Sequence, residues 1–345
     1  MRGLRRLRLG PVQLGIQLPL LESGPSWTVL DERSRGTRFL DIRARSIING
    51  PETTRMPFWS LNPYVGCEFG CSYCYARDTH RWAVERGGWL EGSLSPSAAF
   101  ERNILVKRNA AEVVARTLDT RALGSDTLMI GTATDPYQPA ERRFRITRSV
   151  LELLRLYRGL SVGIITKSAL VVRDALLLAQ LAERHRVRII ISLGTADARL
   201  ARRLEARSPV PSARLRALAR LRQAGLDASL LIAPILPGIT DGREALARLF
   251  AAARDAGATS VSGCPLRLGP AARRTFLPHL AREFPDLVRR YERHYARRDH
   301  ASEAYCGALQ ERLEGLRREY GFRRRADSAD TSVAAPEPEA QLGLL

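Results

Sequence analysis

Five short apolar runs constrain this chain's fold more than any other feature: "TLMIGTA" (127–133), "LSVGIIT" (160–166), "VRIIISLG" (187–194), "DASLLIAP" (227–234) and "ATSVSG" (258–263). Each is of strand length, rich in β-branched residues and nearly free of polar alternation, the pattern of a strand covered on both faces. Between them lie stretches of helical spacing, "TRSVLELLRLY", "VVRDALLLAQLAERH", "PSARLRALARLRQAG" and "GREALARLFAAARDAG", and two of these end on a glycine where a helix C-cap belongs. Strands alternating with helices predict a parallel sheet with helical crossovers. A further strand around "SLNPYVG" and a helix over about 72–84 bring the count to six units. Six falls short of the eight of a closed TIM barrel. The fold class predicted is therefore α/β, a partial (β/α)6 TIM-like barrel, with a doubly wound sheet as the competing architecture.

The expected organisation is an N-terminal extension over 1–55, a barrel domain over 56–270, a C-terminal helical segment over 271–325 and a tail over 326–345. Within the extension, "SWTVLDE" and "TRFLDIRA" suggest a strand pair, and the tail has the small, acidic, proline-containing composition of a disordered end. In either architecture ligands meet the carboxyl ends of the strands. Five loops then share one mouth: the loop after "SLNPYVG", "TATDPYQPAE" (132–141), "TKS" (166–168), "SLGTAD" (192–197) and "APILPGITD" (233–241).

The first of these loops carries the chemistry. In "NPYVGCEFGCSYCYAR" (62–77), Cys67, Cys71 and Cys74 fall within eight positions, among glycines and aromatics. A structural zinc site asks for four protein ligands, usually as two separated pairs. Here Cys264 and Cys306 stand alone, about forty residues apart, so no second cysteine pair exists. Three clustered thiols without a fourth suit an iron–sulfur cluster with one iron left open. A non-enzymatic zinc or Fe–S binding module is the alternative of another class. An odd cysteine number in a chain long enough to fold without disulfides points to a reducing compartment. The broken apolar pattern after the basic start does not read as a signal peptide, and no run reaches the ~18–20 residues of a membrane span. A cytoplasmic location and no membrane partner are expected.

The C-x3-C-x2-C spacing with Tyr73 and Tyr75 flanking the third cysteine resembles the radical S-adenosylmethionine (SAM) superfamily. The motifs "GTATDPYQPAE", "TKSALVVRD", "SLGTADARLARRLEARSPVPSARLRALARLRQAG" and "APILPGITD" are similar to its spore photoproduct lyase-like, or DNA-repair-photolyase-like, branch, over about residues 58–290. The resemblance implies a 4Fe-4S cluster on Cys67, Cys71 and Cys74, with SAM on the open iron. It also implies an electron from reduced flavodoxin or ferredoxin, and a 5'-deoxyadenosyl radical that abstracts hydrogen from a substrate. By the same resemblance Thr134 and Asp135 would serve the SAM ammonium, Lys167 its carboxylate, and Ser192 its carboxylate or ribose. Ala233 and Pro234 would lie at the adenine beside Tyr75, with Tyr73 next to the cluster. Two departures stand out. Phe69 sits where relatives commonly carry His, which should lower the polarity beside the cluster. Thr132 sits where the lyase has the cysteine that returns a hydrogen atom, so a lyase-like reaction here departs from the typical one. Cys264, at the end of the sixth strand, is the candidate replacement; the plainer reading of Cys264 and Cys306 is a small buried hydrophobe.

Composition leaves the substrate open. The formal net charge is +19, and Lys107 and Lys167 are the only lysines. A nucleic-acid partner and a compositional bias toward arginine explain that excess equally. Arg142, Arg143, Arg145 and Arg148 follow the TDPY motif, while Arg289, Arg290, Arg293, Arg297 and Arg298 interleave with Tyr291 and Tyr295. That is the composition of a base-stacking surface, and also of an ordinary amphipathic helix, the commoner case. The leading expectation is a radical SAM enzyme acting on nucleic acid or a nucleotide. The alternative is modification of a protein or small metabolite.

Overall fold

The computed structural model describes residues 28–32, 36–79, 96–296 and 298–322. The tail, the first 27 residues and residues 80–84 of the helix expected over 72–84 lie outside them; within that stretch, 76–79 is helical and 72–75 is not. The strands in chain order are β1 Thr28–Glu32, β2 Arg38–Ile42, β3 Ile48–Asn49, β4 Trp59–Leu61, β5 Tyr64–Val65, β6 Asn103–Lys107, β7 Thr127–Ile130, β8 Ser161–Thr166, β9 Arg186–Ser192, β10 Asp227–Ile235 and β11 Val261–Pro265. The main sheet runs β11-β10-β9-β8-β7-β4-β3. Its pairs from β4 to β11 are all parallel, and β3 joins β4 antiparallel at the edge. These six parallel strands are those the apolar runs predict, and they form a partial (β/α)6 barrel.

The stretch "SLNPYVG" divides. Trp59–Leu61 joins the main sheet, while Tyr64–Val65 crosses to a second sheet of order β1-β2-β6-β5, because Pro63 lacks the N–H that a continuous ladder needs. The strand pair expected in the extension is present as antiparallel β1 and β2. Strand β6 was not anticipated: "NILVK" directly follows the helix Pro96–Arg102 with no turn residue to announce it.

Alternation along each strand separates two faces. Leu128, Ile130, Val162, Ile164, Ile189, Ile191, Leu230 and Ile232 are at most 1% exposed and form the core under the helices. Register aligns Met129 with Gly163, Gly163 with Arg188 and Arg188 with Asp227 on the opposite, concave face, together with Ser192, Leu231 and Ser262. That face mixes Gly163, Ser192, Ser262 and the charged Arg188 and Asp227 with the apolar Met129 and Leu231, and is half-open at most of these positions. Gly225 (φ 77°) and Gly257 (φ 73°) end the helices Pro211–Gln223 and Arg243–Asp255 in the left-handed region. The helix Glu303–Glu319 packs outside β11, with Leu313 over Gly263. Among the described residues no helix is long and apolar enough to cross a membrane. Truncating the core at Leu230→Ala should lower unfolding free energy by about 3 kcal/mol in urea titration, from lost transfer energy plus a cavity; an unchanged midpoint would contradict this packing.

Candidate functional site

The cysteine loop leaves β5 through Gly66, whose φ of +84° is left-handed and whose missing Cβ would lie 2.8 Å from the Phe100 carbonyl. The Cys67 N–H donates to that carbonyl at 2.9 Å. Gln138, from the loop after β7, holds the turn from the other side: its Oε1 accepts the Glu68 N–H at 2.9 Å, and its Nε2 donates to the Gly66 carbonyl at 3.2 Å and to Thr134 Oγ1 at 3.0 Å. Thr134 Oγ1 donates to the same carbonyl at 2.6 Å. Further along, Ser72 donates through N and Oγ to the Leu204 carbonyl, both at 3.1 Å, and Cys71 Sγ lies 3.6 Å from Ser208 Oγ. Asp78 then caps the helix Pro270–Glu283, accepting from Ala271 N at 2.7 Å. Each part of the loop is thus pinned to a different part of the fold.

All three thiols are free; Cys67 and Cys71 are buried and Cys74 is half-buried. Burial, above all, pushes each upward, Cys74 to about 11, and the neighbouring cysteines add to the rise at Cys67 and Cys74. At Cys71 burial also dominates, while Lys167, Ser208 and Arg214 pull the other way. Three apposed thiols that resist ionisation together fit a group whose iron supplies the compensating positive charge, since a coordinating thiol is deprotonated outright. Among the described residues no three His, Cys, Asp or Glu side chains converge on a single-ion position, and the donor set in the loop is sulfur alone. Phe69 is buried with Cys67, Cys71 and Tyr73 in one apolar cluster, which agrees with the low polarity expected there.

Behind the loop stands a buried charge network. Tyr73 Oη and Arg214 Nη2 both donate to the Glu205 carboxylate. Lys167 Nζ donates to Tyr73 Oη at 2.7 Å and to Glu205 Oε1 at 2.5 Å. Arg214 Nη1 also donates to the Ser192 carbonyl at 3.0 Å, so the network reaches the end of β9. Burial alone would raise the Glu205 carboxyl, but Lys167 and Arg214 outweigh it and hold it at about 2. Neither Glu205 nor Arg214 was a sequence candidate; in a chain so rich in exposed arginine, a Glu and an Arg nine residues apart read as solvated charges.

The predicted rim residues do come together. Asp135 Oδ1 accepts from Thr166 Oγ1 at 2.6 Å and Tyr137 N at 2.9 Å, and its Oδ2 accepts from Lys167 N at 2.7 Å. Tyr75 Oη donates to the Thr132 carbonyl, and Ser192 Oγ donates to the Ala233 carbonyl at 3.3 Å. Ala233 and Pro234 are half-buried on the rim. The side chains of Thr134 and Asp135 are therefore engaged by protein groups, and the pair organises the loop that holds Gly66 and Lys167.

One reading needs correction. Cys264 is exposed rather than buried: with Gly263 against Leu313, alternation turns Cys264 toward the concave side of an edge strand that no further strand covers. It lies close enough to Tyr75 and Lys167 to couple electrostatically with both. Cys306 is half-buried, with Sγ 3.9 Å from the Ala301 carbonyl. Tyr291 and Tyr295 are each 1% exposed and stack on one another at 5.9 Å, so the helix Val288–Tyr295 is an amphipathic packing helix and offers no rings to bases. Arg143 and Arg148 pair with Asp31 and Asp174; Arg297 lies outside the described residues.

The radical SAM superfamily pattern matches residues 61–250, more than half of the chain. The protein belongs to the radical SAM superfamily. An uncharacterized protein of Mycobacterium tuberculosis is 34% identical over 309 residues, 89% of this chain and 86% of that one. An uncharacterized protein of Methanocaldococcus jannaschii is 28% identical over 59% of this chain and 69% of its own length. In fold the chain is similar to spore photoproduct lyase complexed with dinucleoside spore photoproduct, at a TM-score of 0.55 and 13% identity, covering 82% of this chain and 79% of that one. A lyase double mutant with bound AdoMet and dinucleoside spore photoproduct gives 0.53 and 13%, covering 76% and 74%. The radical SAM fold thus agrees with that of the lyase.

Replacing Glu205 by Gln leaves two buried cations without their carboxylate and should cost about 3 kcal/mol at pH 7. Because the folded-state pKa lies below the unfolded value of about 4.3, this stabilisation is present above pH 4.3 and is lost as the pH falls toward 2. Urea midpoints of wild type and Glu205→Gln should differ at pH 7 and draw together as the pH falls to about 2; equal midpoints at pH 7 would contradict the network.

Proposed function

We propose that this radical SAM protein is an enzyme acting on a nucleotide or nucleic-acid substrate at the concave mouth, with Cys264 as its hydrogen-returning thiol. Cys67, Cys71 and Cys74 would hold the 4Fe-4S cluster. When bound with SAM, the cluster supplies one-electron cleavage of the sulfonium to methionine and a 5'-deoxyadenosyl radical, the electron coming from reduced flavodoxin or ferredoxin. The chain's own residues then have distinct duties. Lys167, held by Glu205 and Tyr73, offers an ammonium to the SAM carboxylate. Ser192 and the Ala233–Pro234 backbone line the ribose and adenine side, with Tyr75 at the edge. Thr134 and Asp135 shape the loop that receives the ammonium. Phe69 and Tyr73 keep water from the thiols.

The observation that carries this reading is the exposed Cys264 thiol on the same mouth as Tyr75 and Lys167. A thiol there can pass a hydrogen atom to a substrate radical, leaving a thiyl radical on Sγ, the task for which Thr132 has no suitable group. Although the residue is exposed at the surface, the protein crowded around its sulfur desolvates the thiolate and pushes the thiol up to about 11, which keeps the S–H bond intact at neutral pH. The likeness to a lyase bound to a dinucleoside and the basic surface support the substrate class. A protein or small-metabolite substrate is the second reading, favoured by the burial of Tyr291 and Tyr295, which removes the one evident stacking surface.

Cys71→Ala should abolish the brown colour after anaerobic reconstitution and the formation of 5'-deoxyadenosine from SAM. Cys264→Ala should retain the colour, separating the mouth thiol from the three ligands. Colour surviving Cys71→Ala, or lost in Cys264→Ala, would refute the assignment. Fluorescence anisotropy with a single-stranded oligonucleotide at about 50 mM salt separates the substrate classes: binding that weakens as salt rises is expected, and no binding favours the second reading.

A further inference from the structure

Behind the cysteine loop lies a recess of about 670 Å³ that the chemistry above does not use. Its floor includes Gly70 and Ser72, the residues on either side of Cys71, and its walls carry Arg199, Arg202, Arg203 and Arg282. The first three walls come from the helix Ala198–Leu204, whose N-terminus Asp197 caps through Arg199 N at 2.7 Å, and the fourth from the helix Pro270–Glu283. All four arginines are exposed, as is Arg207, which lies against Gly70. The acids at this surface are already matched: Glu283 pairs with Arg203 and Arg282, and Glu101 with Arg77 and Arg207. The remaining balance is strongly positive. None of the mouth residues Tyr75, Lys167, Ser192, Ala233 or Cys264 lines the recess.

We infer that this recess is the docking site for the electron donor, a small acidic one-electron protein of the flavodoxin kind; the inference rests on the cluster reading above. A partner seated here is separated from Cys71 by a single residue of chain on each side, on a face that leaves the mouth free for SAM and substrate. Clustered arginines facing an acidic surface steer association and fix its orientation through complementary potential. A nucleic-acid strand fits the recess less well. Among the described residues no Phe, Tyr or Trp lines it; its one ring is His279, whose Nδ1 lies 3.0 Å from Arg282 Nη2, and the nearby Phe284 ring is covered by the Arg203 guanidinium at 4.2 Å, so it lacks the run of aromatic faces on which successive bases stack. A substrate strand bound here would also be kept from the mouth.

The test uses the full-length, reconstituted protein and a purified acidic flavodoxin, with affinity read by isothermal titration calorimetry at about 50 mM and about 300 mM salt. Wild type should bind, more weakly at the higher salt. The double variant R199E/R202E reverses two exposed charges of the helix Ala198–Leu204, one in its first turn and one in its last. Its Kd should rise about tenfold or more, while the cluster absorbance and its bleaching by dithionite stay as in wild type. R289E/R293E changes the net charge equally on another exposed helix and should leave Kd within about twofold. The inference fails if wild type does not bind flavodoxin, if R199E/R202E binds as wild type does, or if R289E/R293E weakens binding as much. It also fails if R199E/R202E loses affinity for a single-stranded oligonucleotide and not for flavodoxin, which would make the recess a nucleic-acid site. Absence of any cluster in wild type sinks both this inference and the reading beneath it; intact colour with unchanged flavodoxin affinity sinks this one alone.

Discussion

One buried carboxylate holds the functional end of this molecule together. Glu205 accepts from Lys167 at the end of β8, from Tyr73 in the cysteine loop and from Arg214 in the helix Pro211–Gln223. Arg214 extends the connection to β9 through the Ser192 carbonyl. Three chain segments more than ninety residues apart in their extremes thereby meet at one charge. Such a network is weak evidence for stability, because removing three charged groups from water is costly. Its value is positional: it fixes the Lys167 ammonium against Glu205 and Tyr73, keeps Tyr73 inward and places positive charge next to Cys71.

A second constraint acts from the opposite side of the loop. Gln138 and Thr134 bind the backbone of Gly66 and Glu68 with side-chain groups that imitate a neighbouring strand. The cysteine loop has little regular structure of its own, so its main-chain polar groups must be satisfied from elsewhere. The motif "TDPYQPAE" supplies that satisfaction. Asp135 ties the motif to β8, and Glu141 accepts from Thr147 N at 3.0 Å to start the following helix. Thr134 and Asp135, which the sequence offers as ligand contacts, are also engaged by protein groups.

The barrel strands were legible because their short length and largely apolar, β-branched composition stand out between helices with glycine ends, although the half-open concave face is less covered than that composition implies. Strand β6 was not, since "NILVK" is brief and runs straight on from a helix, and "SLNPYVG" concealed a change of sheet at Pro63. The cysteine ligand candidates were evident from spacing alone. Glu205 and Arg214 were hidden because burial, which distinguishes them from the other charges of an arginine-rich chain, depends on contacts distant in sequence. The burial of Tyr291 and Tyr295 and the exposure of Cys264 follow likewise from packing: Phe276 takes up the face of Tyr291, whereas nothing pairs with the outer edge of β11.

The central claim is that three thiols leave one iron open for SAM, rather than waiting for a fourth protein ligand. Electron paramagnetic resonance of the dithionite-reduced, reconstituted protein tests it most directly. Adding SAM should change the signal of the reduced cluster at a one-to-one ratio of SAM to cluster. A signal indifferent to SAM, or a colourless protein holding stoichiometric zinc, would contradict the account.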